Sequence, residues 1–302
     1  MESRLSVPAT EPEVSIVIPV HNEGARLHLT LEALRVSTPV KSEIVVVDDA
    51  STDGCCDILR NEPSLFENVL LLESECPQGV AGARNCGARH AHAPVLSFLD
   101  AHCFPRPGWL KLLLDCLAWS DVGIATPAIY VAGTPATQGF GMTIVNSDLA
   151  VGWLVRGGEA AFEVPVACGC CVALRKPVFD EIGQFEPLKR YGLEDTELSI
   201  RCWLSGYRVL VVPRAKVGHC FKSASNFRVD WQDYLYNILR VALLHFEGDR
   251  LSRILTAQRS RACFSEAMNS VLAGDIFERA HFLRGLRRHD GEWFCRKFGI
   301  DL

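Results

Sequence analysis

Several things are missing from this 302-residue chain. No apolar run approaches the roughly 18 residues that a membrane-spanning helix needs. Residues 1–13 carry charges and no apolar h-region, so no secretory leader is expected. Basic charge is not in excess: 31 Lys and Arg stand against 36 Asp and Glu, and the net charge is −5. Nucleic acid and anionic membrane surfaces are therefore not expected partners. The sequence has no internal repeat and no low-complexity tract. The turn Val20-His21-Asn22-Glu23-Gly24 after the first strand lacks GxGxxG, which excludes the dinucleotide fingerprint. It is also acidic, where a nucleotidyltransferase would carry a basic Gly-rich loop.

Cysteine, by contrast, is abundant at 13 residues. The spacings do not form a disulfide framework, and many of the cysteines fall in apolar strand or helix patterns. Without a leader they read as reduced thiols in the cytoplasm. Cys168-Gly169-Cys170-Cys171 has the look of a zinc fragment, but no CxxC follows downstream. Packing is the commoner role of such thiols.

Apolar periodicity places strands at 14–20, 43–49, 68–73 and 95–99 and a helix at 25–36, while Gly79 to His90 reads as a loop entering a helix. Ala50-Ser51-Thr52-Asp53-Gly54 reads as a turn and helix cap. This alternation predicts an α/β fold with a mostly parallel sheet and helices on both faces. A helix at 107–119 and a strand at 122–131 continue it. Residues 132–165 read as Gly-rich and irregular. A strand at 166–174, helices at 176–182 and 194–205, and a strand at 208–212 follow. Residues 213–230 read as a closing segment. From Asp230 the pattern is helical, with Leu235, Ile238, Leu239, Ala242 and Leu243 on one stripe. The domain expectation is a tail at 1–12, an α/β domain at 13–225 and a helical extension at 226–302.

The stretch Val95-Leu96-Ser97-Phe98-Leu99-Asp100-Ala101-His102 organises the chemistry. In extended backbone, residues two apart share a face, so a carboxylate and an imidazole leave the strand side by side. The carboxyl edge of such a sheet is where ligands bind. His219, beside Gly218, is a candidate third ligand, although a lone His is more often structural. Asp100, His102 and His219 would suit a first-row transition ion such as Mn²⁺ better than Mg²⁺. Asp48 and Asp49 tip the second strand, where a carboxylate can accept hydrogen bonds from a base or a ribose. Arg84, in a Gly- and Ala-rich helix start, could contact a base or phosphate or make a surface ion pair. Glu194 and Asp195 open a helix. The macrodipole alone favours acids there, and a general base acting on an acceptor is the functional reading.

Together these pieces resemble GT-A fold nucleotide-sugar glycosyltransferases of family 2. The resemblance rests on Ser15–Asn22 with Glu23, Val45–Asp49 with Ala50-Ser51, Gly82–Asn85, the strand ending at Asp100, and Glu194-Asp195. It covers about residues 13–222. Phe98–Cys103 and Val217–Phe221 look like the Asp-x-His and distant-His metal motifs of polypeptide N-acetylgalactosaminyltransferases. The resemblance implies a UDP-sugar donor and Mn²⁺ held by Asp100, His102 and His219. Pro19, His21 and Glu23 would line the nucleotide, with Pro19 and His21 flanking the uracil. Asp49 would bind the base, Arg84 the nucleotide, and Gly169 would let the backbone reach the donor sugar. Asp195, with Glu194, would be the catalytic pair, Asp195 acting as base on an acceptor hydroxyl or thiol with inversion. The N-acetylgalactosaminyltransferases have Glu-Asn at the matching place and retain configuration, so a retaining HexNAc peptide transferase is the alternative. A catalytically silent nucleotide-sugar binding protein is the rival from another class. The acceptor stays open among peptide, glycan, lipid-linked sugar and small metabolite. The helical tail resembles no lectin domain.

Overall fold

A computed structural model describes residues 11–38, 40–155, 158–222 and 229–302. The chain opens with β1 (Val14–Val20), α1 (Arg26–Ser37), β2 (Ser42–Asp48), α2 (Asp57–Asn61), β3 (Val69–Glu73), α3 (Gly79–His90) and β4 (Val95–Leu99). β1 pairs in parallel with β2 and β4, and β2 with β3. This is the expected crossover half, and its inner strands are apolar because both faces are covered.

The second half is mixed. It comprises β5 (Cys103–Pro105), α4 (Trp109–Leu117), β6 (Val122–Val131), β7 (Thr134–Gly139), β8 (Met142–Ile144), β9 (Val151–Trp153), β10 (Phe162–Glu163), β11 (Cys171–Arg175), α5 (Lys176–Glu181), α6 (Glu194–Leu204) and β12 (Arg208–His219). The main sheet runs β10-β12-β6-β11-β4-β1-β2-β3, with β5 on β12 and β7 on β6. β11 is antiparallel to both β4 and β6, so β3, β2, β1, β4, β6 and β12 share one direction and β11 and β10 oppose it.

Three expectations are corrected here. The last strand does not stop at 212 but continues to His219. Pro213 lacks the N–H that a ladder needs, and the register shifts between Val212 and Lys216 before pairing resumes. The run 166–174 is broken by a turn in which Cys171 N–H donates to Cys168 C=O (3.1 Å), so the strand proper starts at Cys171. The segment 132–165 is not wholly irregular: among its described residues, β7 extends the main sheet, β8 pairs with β9 as a separate hairpin, and β10 edges β12. Of the expected closing segment, 213–219 is strand and 223–228 lies outside the described residues.

The tail forms α7 (Trp231–His245), α8 (Gly248–Gln258), α9 (Phe264–Leu272), α10 (Ile276–Leu286) and α11 (Gly291–Phe298). Asp230 caps α7 by accepting from Gln232 and Asp233 N–H at 2.9 and 3.3 Å. Ile238, Val241 and Ala242 of α7 enter the main core, while Leu235, Tyr236 and Leu239 join a second cluster with α9 and α10. Buried ion pairs reinforce the joint. Arg240 reaches Glu186 at 2.6 Å, and Glu186 also takes Arg279 at 2.7 Å. The tail is therefore packed into the same core as the sheet. Among the described residues, no helix is long and apolar enough to cross a membrane.

Candidate active site

The strand ends of β1, β2 and β4 open on a cavity of about 390 Å³. Pro19, His21, Glu23, Asp49, Asp100, His102 and His219 line it, as expected for one sheet edge. Val80, Arg190, Tyr191, Phe221 and Lys222 complete much of the wall.

Asp100, His102 and His219 each bring one ligand atom to within 4.8 Å of the others. His219 Nε2 is 3.7 Å from Asp100 Oδ2, and the two imidazole centroids are 4.7 Å apart. Burial alone would raise the Asp100 pKa. The adjacent His219 imidazole and the Arg84 and His102 charges outweigh it and hold the carboxyl well below the usual range. An ionised oxygen donor and two imidazoles then meet at one point. His219 Nδ1 is buried without a hydrogen-bond partner among the described residues. This donor set fits a divalent first-row ion. Glu23 braces the corner: its Oε1 is 3.3 Å from His102 Nδ1 and 2.6 Å from Lys222 Nζ. Burial opposes its charge, but these two partners bring its pKa below the ordinary value.

Asp49 accepts from Gln78 N–H (2.7 Å) and Gly79 N–H (2.9 Å), so it tethers the start of α3 to the sheet edge. Burial raises its pKa despite those two bonds. Gly79 has φ +78° and a Cβ there would lie 2.6 Å from Arg190 Cα, so only glycine fits. His21 Nδ1 sits 2.7 Å from the Asp49 carbonyl, which fixes the imidazole against the second strand end.

Two residues are placed differently from expectation. Arg84 is 1% exposed and does not line the cavity. Its guanidinium donates to Asp100 Oδ1 (2.8 Å), Gly169 O (2.7 Å) and Glu194 Oε1 (3.4 Å). In this structure Arg84 faces the carboxylates behind the cavity wall, where its charge offsets theirs in a largely buried setting, and not the cavity itself. Gly169 also stays behind the wall. Its carbonyl serves Arg84 and its N–H donates to Asp195 Oδ2 at 3.0 Å. A Cβ on Gly169 would lie 2.8 Å from that same oxygen, so the glycine makes room for Asp195.

Glu194 accepts from Arg84 and from Gly192 N–H (3.1 Å), and its pKa is pushed up to about 7 by burial and then by Asp195. Asp195 is also raised, by burial first, while the Gly169 N–H and Arg84 oppose the rise. Neither residue lines the cavity itself. The loop before them does, through Arg190 and Tyr191. That loop bends through positive φ at Arg190 (42°), Gly192 (97°) and Leu193 (73°).

What holds this loop was not anticipated. Asn237 of α7, fully buried, accepts from Lys189 N–H at 2.8 Å. Its amide donates to the carbonyls of Lys189, Tyr191 and Gly192 at 2.8, 3.2 and 3.1 Å. A sequence signal existed: Asn237 is a polar residue beside the apolar stripe of that helix. Lys222 and Tyr191 were also missed. Each lies within four residues of a motif that was found, at His219 and Glu194.

Residues 15–183 match the family described as glycosyl transferase family 2. Among curated relatives, polypeptide N-acetylgalactosaminyltransferase 8 of Drosophila melanogaster is 33% identical over 310 residues, covering 96% of this chain and 52% of that protein. Polypeptide N-acetylgalactosaminyltransferase 10 of Rattus norvegicus is 28% identical over 312 residues, covering 97% of this chain and 50% of that protein. The chain thus spans about half the length of these relatives. The solved structure of GalNAc-T7 with UDP, GalNAc and Mn²⁺ aligns with TM-score 0.80 at 23% identity, over 97% of this chain and 57% of that one, a likeness of fold. The family match takes in more than half of the sequence, including both acid-tipped strands and the Asp-x-His turn, so the chain belongs to glycosyl transferase family 2 and has the GT-A fold.

Proposed function

We propose that this protein is a metal-dependent glycosyltransferase that moves a sugar from a UDP-sugar to an acceptor hydroxyl or thiol. The observation that carries the reading is the convergence of Asp100, His102 and His219 on a cavity that Pro19, His21 and Asp49 also line. The nucleoside would lie along the ends of β1 and β2, with the diphosphate toward Asp100. Asp100, His102 and His219 would hold a divalent ion such as Mn²⁺, which when bound supplies Lewis-acid neutralisation of the departing diphosphate. Lys222, fixed by Glu23, adds positive charge on the same wall. Asp195 would take the acceptor proton. Its raised pKa makes it a better base than an ordinary carboxylate, and its geometry is set by Gly169 N–H and Thr196 N–H. With a carboxylate in that role the reaction inverts.

The relatives favour a second reading. Both are named polypeptide N-acetylgalactosaminyltransferases, which supports an N-acetylhexosamine donor and a peptide acceptor, and retention is the course that goes with this second reading. UDP release from a panel of UDP-sugars, with and without Mn²⁺, tests the donor half. A panel with no UDP release and intact UDP binding would leave a silent binding protein. The anomeric configuration of the product, read by NMR, separates inversion from retention.

A further inference from the structure

The metal corner backs onto thiols that the proposed reaction does not use. Cys103 follows His102 directly, and β5 places Cys103 opposite His219 of β12 in an antiparallel register. Directly opposed residues in such a pair carry their side chains on the same side. Cys170 arrives from the turn before β11, and the Cys103 Sγ–H donates to its carbonyl at 3.4 Å. One ligand atom from each of Cys103, Cys170 and His219 lies within 4.8 Å of the other two. Both cysteines are buried and free. Cys168 Sγ is 3.3 Å from Cys170 Sγ, so a further thiol adjoins the cluster.

We propose that Cys103, Cys170 and His219 form a second metal site, for a thiophilic divalent ion such as Zn²⁺, which shares His219 with the Asp100–His102 site and excludes an ion there. Around a tetrahedral zinc, bond lengths of about 2.3 Å to sulfur and 2.0–2.1 Å to nitrogen put donor atoms roughly 3.5–3.8 Å apart. The observed separations, at most 4.8 Å, exceed that size by no more than about an ångström. Softness then divides the two sites. Two thiolates select zinc-like ions, and a carboxylate with two imidazoles accepts manganese. Imidazole is the ligand common to both preferences. Each bound ion would displace the two thiol protons to solvent, with no change in oxidation state.

The thiolate site stands on its own geometry, whereas the exclusion rests on the reading of Asp100, His102 and His219 as a hard-ion site. Titrating the reduced full-length protein with Cd²⁺ or Co²⁺ alone should give a thiolate-to-metal charge-transfer band that saturates at one equivalent. Cys103→Ser and Cys170→Ser should each remove that band, Asp100→Ala should keep it, and circular dichroism should show all three folded. Cys103→Ala and Cys170→Ala provide the same test if a serine variant fails to fold. In a parallel Mn²⁺ EPR titration, Zn²⁺ should release bound Mn²⁺ from the wild type, and Cys103→Ser should need at least ten times more Zn²⁺. No band, or one unchanged in the cysteine variants, would overturn the thiolate site. A band with bound Mn²⁺ undisturbed would overturn the exclusion. A band in a protein that binds no Mn²⁺ would keep the thiolate site and remove the hard-ion reading instead.

Discussion

The two banks of the cavity are built by opposite means. On one bank, Pro19, Asp49 and Asp100 stand at or just beyond the ends of strands in a continuous ladder, and backbone hydrogen bonds set their spacing. On the other, residues 189–195 belong to no ladder. Three of them adopt positive φ, and a side chain 48 residues away in sequence holds the loop from behind. A strand end can change its side chain without moving. A loop of this second kind moves when its distant brace is lost. Chemistry on the first bank should therefore fail residue by residue, and chemistry on the second should also fail through α7.

The sharpest break in that contrast is expected at Asp195. Asp195→Asn keeps shape but cannot take a proton at neutral pH, and should cut kcat by on the order of 10²–10⁴, the usual contribution of a positioned base. UDP and Mn²⁺ affinity should barely change, as calorimetry would record. A variant that keeps its rate and still inverts would show that another group is the base. On the strand bank, Asp100→Ala should lower metal-dependent UDP release by about 10²–10³, since Lewis-acid stabilisation is worth several kcal/mol. The melting temperature should fall, because the buried Arg84 guanidinium loses one of its two carboxylate partners, while circular dichroism should still show a folded protein. Unchanged UDP release in excess EDTA would contradict the metal assignment.

Asn237→Ala sharpens the comparison further, because the side chain does not line the cavity. It leaves the Lys189 N–H without its acceptor, at about 1–3 kcal/mol for an unsatisfied buried group. Urea unfolding should report that loss. Hydrogen exchange should speed up at 189–193 and not in β1, and the donor KM should rise. Acceleration spread evenly over the sheet would mean that Asn237 stabilises the fold without bracing the loop.

The strand bank was legible in the sequence because its signals are local. Val95–His102 announces strand, face and ligand pair within eight residues. His219 was found for its neighbours, but its place on a strand was hidden by Pro213, which reads locally as a strand end. Arg84 shows the limit of the method. Its motif identifies an arginine near the site, yet only the fold shows that three acceptors enclose it. The partners of Asn237 and Glu197 were hidden for the same reason. A polar residue in an apolar helix declares a buried partner without saying which.

The smallest effect expected is a pH dependence of the joint between the tail and the sheet. Glu197 of α6 is fully buried between Arg201 (2.6 Å) and His245 of α7, whose Nε2–H donates at 2.8 Å. Burial would raise the Glu197 pKa, but Arg201 and His245 hold it well below the carboxylate range. Burial lowers the pKa of His245, as do the Arg287 and Arg201 charges, against the pull of Glu197. The folded protein therefore keeps this imidazole neutral, whereas the unfolded chain takes a proton below about pH 6.5. Proton uptake by the unfolded state favours unfolding, so stability should fall as pH drops below that value, by at most about 1.4 kcal/mol per pH unit for this group. Glu197 contributes in the same direction at lower pH. Its stabilisation is present above about 4.3 and is lost as the pH falls through its depressed folded value. Urea midpoints at pH 7.5 and 5.5 isolate the histidine. The wild type should lose stability between them, and His245→Gln should lose less. Equal slopes in the two proteins would show that His245 titrates alike in the folded and unfolded states.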